Sequence, residues 1–202
     1  MKHDFVYLAS QSPRRRQLLE QIGVRYELLL PGADDDAEAL EAHRSGELPA
    51  DYVVRVTQAK LDAARQRWRR SGLRPAPILC ADTTVALGRD VLGKPADAAD
   101  ALATLTRLGG RSHRVITAVA IASDRRQWQA ISISRVRFGP IAAEAIAAYV
   151  EGGEPFGKAG AYAVQSGAAA WVERIEGSSS GIMGLPLFET AQLLARAGVK
   201  PF

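Results

Sequence analysis

Only one cysteine, Cys80, occurs among 202 residues, and it lies inside an apolar run, so no disulfide framework can staple the chain. A reducing, cytoplasmic setting is the expectation. No uninterrupted apolar stretch is long enough to span a bilayer, and the first residues lack the basic-then-apolar pattern of a secretory signal, so no membrane partner is expected. Aromatic residues are scarce at 6% and do not interleave with the basic ones, which form no continuous stripe. That argues against nucleic acid as a partner. The net charge of +4 suits a small anionic molecule at least as well as nucleic acid. Neither an internal repeat nor a low-complexity linker is present, and the 47% hydrophobic content is that of an ordinary globular protein. A chain of this length can form one α/β unit with two lobes.

The hydrophobic pattern predicts a strand over 5–9, a helix over 13–22 and a second strand over 25–30, a βαβ start. An acidic run, Asp34 to Asp36, precedes a long helix from about Pro49 to Arg70 with a basic C-terminal end. Ile78 to Leu87 reads as a buried strand turning through Gly88, Arg89 and Asp90 into Val91 and Leu92. Asp97 caps a helix with a stripe of Leu102, Leu105 and Leu108 that ends at Gly109 and Gly110. The β-rich runs 114–122 and 127–138 pair antiparallel. A helix over 142–151, a glycine-rich segment over 157–167, a strand over 168–175 and a last helix opened by Pro186 complete the chain. The expected fold is α/β, a mixed twisted sheet with flanking helices and a central cleft between two lobes.

Among the residues present, SQSPRRR at 10–16 stands out. It follows a strand and opens a helix, with Ser12 suited to the N-cap and Pro13 to the first helical position. Arginines at this end oppose the helix dipole, so an anion there resolves the conflict. Arg14 and Arg15 sit one turn before Leu18 and Leu19 and project over the core-facing side, whereas Arg16 aligns with Glu20 and reads as surface charge. A solvated basic helix start is the competing reading.

Asp82, inside ILCADTTVAL, is costly to bury without a partner. At a strand end in a cleft such a carboxylate can bind a divalent cation or take a proton from an attacking water; backbone satisfaction at a strand terminus is the plainer alternative. Asp34 could cooperate with it in holding metal. Lys94 in GKP is followed by Pro95 and so lacks the Ser or Thr that completes a Walker loop. Lys60 lies between Val56 and Leu61, where snorkelling to solvent is the first expectation. The segment from Glu154 to Ser166 joins permissive glycines to Lys158, Tyr162 and Gln165, whose amide can read the edge of a base. His113 reads as structural or as cleft lining.

Taken together, SQSPRR, ADTTV at 81–85, GKP at 93–95, GRSHRVITAV at 110–119, EPFGKAGAY at 154–162 and GIMGLPL at 181–187 resemble the Maf family of nucleoside triphosphate pyrophosphatases. These segments span nearly the whole chain in the family's order. The resemblance implies a single domain over 1–202 with a Maf/ITPase-like fold. It implies hydrolysis of dTTP and UTP to the monophosphate and pyrophosphate, a house-cleaning activity on the nucleotide pool, with a divalent metal (Mg, Mn or Co) and a homodimeric state. In that reading Asp82 is catalytic and, with Asp34, binds metal. Arg14, Arg15, Lys60 and Lys94 match phosphate-binding positions, Ser10 belongs to the same substrate site, and Thr83 and Gln165 match positions linked to base choice. Gly157 departs from the acid that the family often carries there. A sister branch acting on methylated GTP or other modified nucleotides, and a non-catalytic regulator of septum formation, are the alternatives.

Overall fold

The computed structural model describes residues 2–32, 39–123 and 126–201. Strand β1 (Val6–Leu8), helix α1 (Pro13–Gln21) and strand β2 (Tyr26–Leu28) form the βαβ start, with β1 and β2 parallel. After α2 (Pro49–Ser71), strand β3 (Ile78–Leu87) turns into β4 (Asp90–Leu92). Helix α3 (Ala98–Leu108) leads to the long hairpin β5 (Ser112–Ser123) and β6 (Arg126–Phe138). Helix α4 (Ala143–Glu151), β7 (Val172–Glu176), α5 (Ser179–Ile182) and α6 (Leu187–Arg196) follow. The strands form one sheet in the order β2-β1-β3-β5-β6-β7, with β4 paired to β3. β1 runs parallel to β2 and β3 and every other pairing is antiparallel, so the sheet is mixed as expected.

Alternation along β3 divides the core. Ile78, Cys80 and Ala86 face α2, packing with Leu61 and Ala64 or with Val53 and Val56. Leu79 and Ala81 face the other way, against Leu18 and Leu19 of α1 and Leu193 and Leu194 of α6. Val85, further along that second face, joins α3, α4 and the aromatic rings of Phe138, Tyr149 and Tyr162.

A gap in the pairing positions the cleft. β1 accompanies β3 only to Leu8, opposite Leu79, and β4 joins the same edge at Val85, opposite Leu92. Between them, residues 80–84 of β3 keep β5 on one side and have no strand on the other among the described residues. The N-terminus of α1, reached four residues after β1 ends, opens at this gap. Ser12 is its N-cap and Pro13 its first residue, but the Ser12 side chain caps nothing. The Ser12 N–H donates instead to Ser10 Oγ at 3.2 Å, which leaves the first-turn N–H groups without a side-chain cap.

Two sequence expectations change here. Leu102 is exposed, and the buried stripe of α3 runs through Ala101, Thr104, Leu105 and Leu108, which at spacings of three and four share the helix face turned to the cluster of α4, Phe138 and Tyr162. Residues 167–171 form a 3-10 turn rather than the start of a strand. Alanine has little preference for strands, and Ala168 is buried in the aromatic cluster, where a tight turn brings the chain closer than a strand would.

Candidate active site

The gap beside β3 opens into a cleft of about 980 Å³. Its walls include Ser10, Arg14, Arg15, Lys60, Asp82 and Thr83, together with Lys94 and Gln165 from the far side. The structure therefore brings together every candidate residue except Asp34, which lies outside the described residues. Arg16 is not among the lining residues, in keeping with its register on α1.

Asp82 is 8% exposed and carries its partner with it: Lys60 Nζ donates to Asp82 Oδ1 at 2.6 Å. The snorkelling expectation for Lys60 is thus corrected. Val53, Val56, Lys60 and Ala64 lie three or four apart on the buried face of α2, and the ammonium at that register meets a carboxylate rather than water. The same Nζ donates to Glu41 Oε1 at 2.7 Å, and Lys94 Nζ donates to Glu41 Oε2 at 2.9 Å. Burial raises the Glu41 pKa, but the two ammoniums outweigh it and hold the carboxyl below its ordinary range. Sequence reasoning missed Glu41. Nothing in the local pattern of an acidic loop distinguishes it, and only the fold carries it to Lys60, 19 residues on.

Thr83, the next residue on β3, belongs to a different arrangement. Arg15 Nε donates to the Gly184 carbonyl at 2.8 Å, Nη1 to Ser10 Oγ at 3.1 Å and Nη2 to Thr83 Oγ1 at 3.4 Å. Of the five guanidinium N–H donors, two remain for a ligand. Burial lowers the Arg15 pKa, and the charge of Asp82 offsets part of that. Thr117 on β5 donates to the Gly181 carbonyl at 2.7 Å, which uses its only proton. The 2.9 Å contact between the Thr83 and Thr117 hydroxyls therefore has Thr83 as donor. Thr83 is left with lone pairs only.

Two further cations face the cleft. Arg14 and Lys158 form no ion pair among the described residues. Burial, and then the charge of Arg14, lower the Lys158 pKa, and its Nζ donates to the Glu154 carbonyl. The loop bearing Lys158 and Gln165 is seated by Gly160, whose N–H donates to the Gly93 carbonyl at 3.0 Å. Gly160 has φ +69°, and a Cβ there would lie 2.7 Å from Val85 Cγ2, so no other residue fits. Gly157 has φ +71°, a conformation that glycine adopts without strain, and open space around it. Gln165 is exposed on the cleft wall. His113 does not line the cleft; its Nε2 meets the Tyr162 hydroxyl at 2.7 Å, and burial pushes the imidazole down to about 4.

Asp82 and Glu41 flank the Lys60 ammonium with hard carboxylate oxygens, and no group of three potential ligands exists among the described residues. With Glu41 taken by two ammoniums, Asp82 alone fits a cation such as Mg²⁺, which takes as few as one or two carboxylates and fills its remaining positions with water and phosphate oxygens.

Fold and site define an α/β protein with a cation-lined cleft for a phosphorylated small molecule and a carboxylate at its floor. A family model described as Maf-like protein matches residues 5–197, and the chain belongs to the Maf family. A protein of a Polaromonas species named dTTP/UTP pyrophosphatase is 63% identical over 98% of each chain. A Burkholderia pseudomallei protein of the same name is 64% identical over 98% of this chain and 95% of its own. Among solved structures, the Staphylococcus aureus Ham1 protein matches 66% of this chain and 71% of its own at 9% identity and a TM-score of 0.36. A likeness at that level carries no argument about this chain.

Proposed function

We propose that this chain is a nucleoside triphosphate pyrophosphatase that hydrolyses dTTP and UTP to the monophosphate and pyrophosphate and so clears the nucleotide pool. One observation carries the reading: a carboxylate, Asp82, at the floor of a cleft whose walls present Arg14, Arg15, Lys60, Lys94 and Lys158. The names of its relatives point the same way. Residues 1–202 are read as one Maf-like domain of two lobes, acting as a homodimer in the cytoplasm, with no nucleic-acid or membrane partner. No helix of the described residues is long and apolar enough to cross a membrane.

The cations hold the triphosphate and neutralise the charge that accumulates on pyrophosphate as it leaves. Asp82 orients a water toward the α-phosphorus and takes its proton as the new P–O bond forms. The bond from the α-phosphorus to its bridging oxygen breaks, and the electron pair stays with pyrophosphate. Asp82, and Asp34 outside the described residues, would hold a divalent cation, which would supply further charge neutralisation at the phosphates. Ser10 supports Arg15. Thr83 can only accept a hydrogen bond, which matches the N3–H of thymine and uracil and disfavours cytosine, whose N3 is itself an acceptor; Gln165 can both donate and accept.

The test is pyrophosphate release from a panel of dTTP, UTP, CTP and methylated GTP with magnesium, manganese or cobalt. Turnover of dTTP and UTP well above CTP, abolished by Asp82→Asn, is the expected result. Preference for methylated GTP moves the chain to the sister branch, and no turnover of any nucleotide removes the enzymatic reading.

A further inference from the structure

Lys60 and Lys94 already hold an anion in this structure. The Glu41 carboxylate places one oxygen on each ammonium, at 2.7 and 2.9 Å, the bridging contact that a phosphate group makes between two cations. With Asp82 on the other side of Lys60, the cluster holds two positive and two negative charges. An arriving polyanion therefore meets no net charge there until Glu41 moves aside.

The placement of Glu41 is built into α2. Its carbonyl accepts from the Tyr52 hydroxyl at 3.0 Å, and the carbonyls of Leu40 and Ala42 accept from Arg55 at 3.5 and 2.9 Å. Arg55 is itself fixed by Glu47 through two contacts of 2.6 and 2.7 Å. Burial, followed by the charges of Asp82 and Glu41, pushes the Tyr52 hydroxyl up to about 12, so it keeps its proton for this contact. The backbone of the turn is thus anchored while the Glu41 side chain, with its free torsions, reaches into the cleft. None of these backbone contacts uses the Glu41 carboxylate.

We propose that Glu41 is an internal occupant of the phosphate station made by Lys60 and Lys94, displaced by a phosphate group of the substrate, and that it sets the affinity of the site for polyphosphates. The role rests on the proposed function only in the identity of the displacing ligand. A ligand competing with a bound side chain binds more weakly by the fraction of time the station is free. Glu41 thereby makes occupancy depend on the charge that the ligand brings, which favours a triphosphate over singly phosphorylated compounds.

The experiment is calorimetric binding of inorganic pyrophosphate, in metal-free buffer of fixed ionic strength, to the full chain and to Glu41→Gln and Glu41→Asp. Uridine, which carries no phosphate, is the control. Loss of one charge-assisted contact to each ammonium predicts that Glu41→Gln binds pyrophosphate about tenfold more tightly, with uridine unchanged. Glu41→Asp keeps the charge but is too short to bridge both lysines, so it also tightens binding, by roughly half that effect on a logarithmic scale. Pyrophosphate affinity that is unchanged or weaker in Glu41→Gln overturns the proposal, and weaker manganese binding in that variant assigns the carboxylate to the metal instead. Tightening confined to Glu41→Gln, with Glu41→Asp like the parent, also overturns it, because a through-space field then suffices. The two readings fail separately: pyrophosphate tightens whether or not the parent chain turns over dTTP, and dTTP turnover stands if pyrophosphate binding does not respond.

Discussion

Asp82 and Thr83 are neighbours on β3, face opposite sides of the sheet, and both open on one cleft because the strand's edge is bare beside them. Their partners differ in kind. Asp82 meets Lys60, a charge on a long stem that Glu41 shares and that a phosphate can claim. Thr83 meets Arg15 and Thr117, in a directed chain of donors that ends on the backbone carbonyl of Gly181. Partners that can be exchanged for a ligand belong to chemistry, whereas partners closed on the protein's own backbone belong to the framework that shapes the site. On the Asp82 face a substitution should cost turnover; on the Thr83 face a substitution at Thr117, which lies behind the substrate-facing Thr83 and Arg15, should cost stability.

The largest expected effect lies on the Asp82 face. Asp82→Asn keeps an acceptor for Lys60 but removes the base, so pyrophosphate release from dTTP falls by about 10³-fold, while the melting temperature moves little. A variant that melts early yet turns over normally would reverse the comparison.

On the Thr83 side of the sheet, the buried His113 links stability to pH. Its pKa falls from 6.5 to about 4 on folding, so between those values the unfolded chain binds the proton first. Stability from this residue is complete above pH 6.5 and is lost as pH falls toward 4. The amount at stake is about 3 kcal/mol. Urea unfolding across this range measures it, and His113→Asn, which cannot titrate, flattens the slope.

Thr117→Val comes next. It leaves the Gly181 carbonyl without its donor and the Thr83 proton without its acceptor, at about 1–3 kcal/mol of stability. Chemical denaturation gives the loss, and turnover per folded molecule stays within a few-fold. The smallest effect is expected of Arg16→Ala, on the outer side of α1. Stability changes by less than about 0.5 kcal/mol, with nucleotide turnover unchanged, and a clear loss of either would show that the register argument misplaces Arg16.

Much of this arrangement is legible before folding. The βαβ start, the buried strand with Asp82 in it and the Asp97 cap, which accepts from the Asp100 N–H at 2.8 Å, all follow from periodicity and local hydrogen-bonding chemistry. The separation of Arg14 and Arg15 from Arg16 follows from helical spacing alone. Lys60 is the instructive failure. Its place between Val56 and Leu61 puts it near the buried stripe, but a lysine there reads as snorkelling unless its partner is known, and Asp82 is 22 residues away. The finer split between the arginines was equally hidden, since Arg15 is committed to Gly184, 169 residues on.

By itself the sequence determined which segments become strands and helices, where an anion-seeking helix terminus opens, and that one carboxylate is buried at a cost. These are local matters, decided by spacing and by side chains within a turn or a strand of one another. The tertiary structure alone decided which charges meet. An ion pair or a hydrogen-bond relay forms between groups brought together by the sheet, so Glu41 acquired Lys60 and Lys94, and Thr83 acquired its direction of donation, only when β3, α2 and the 178–184 segment converged on the gap beside β1.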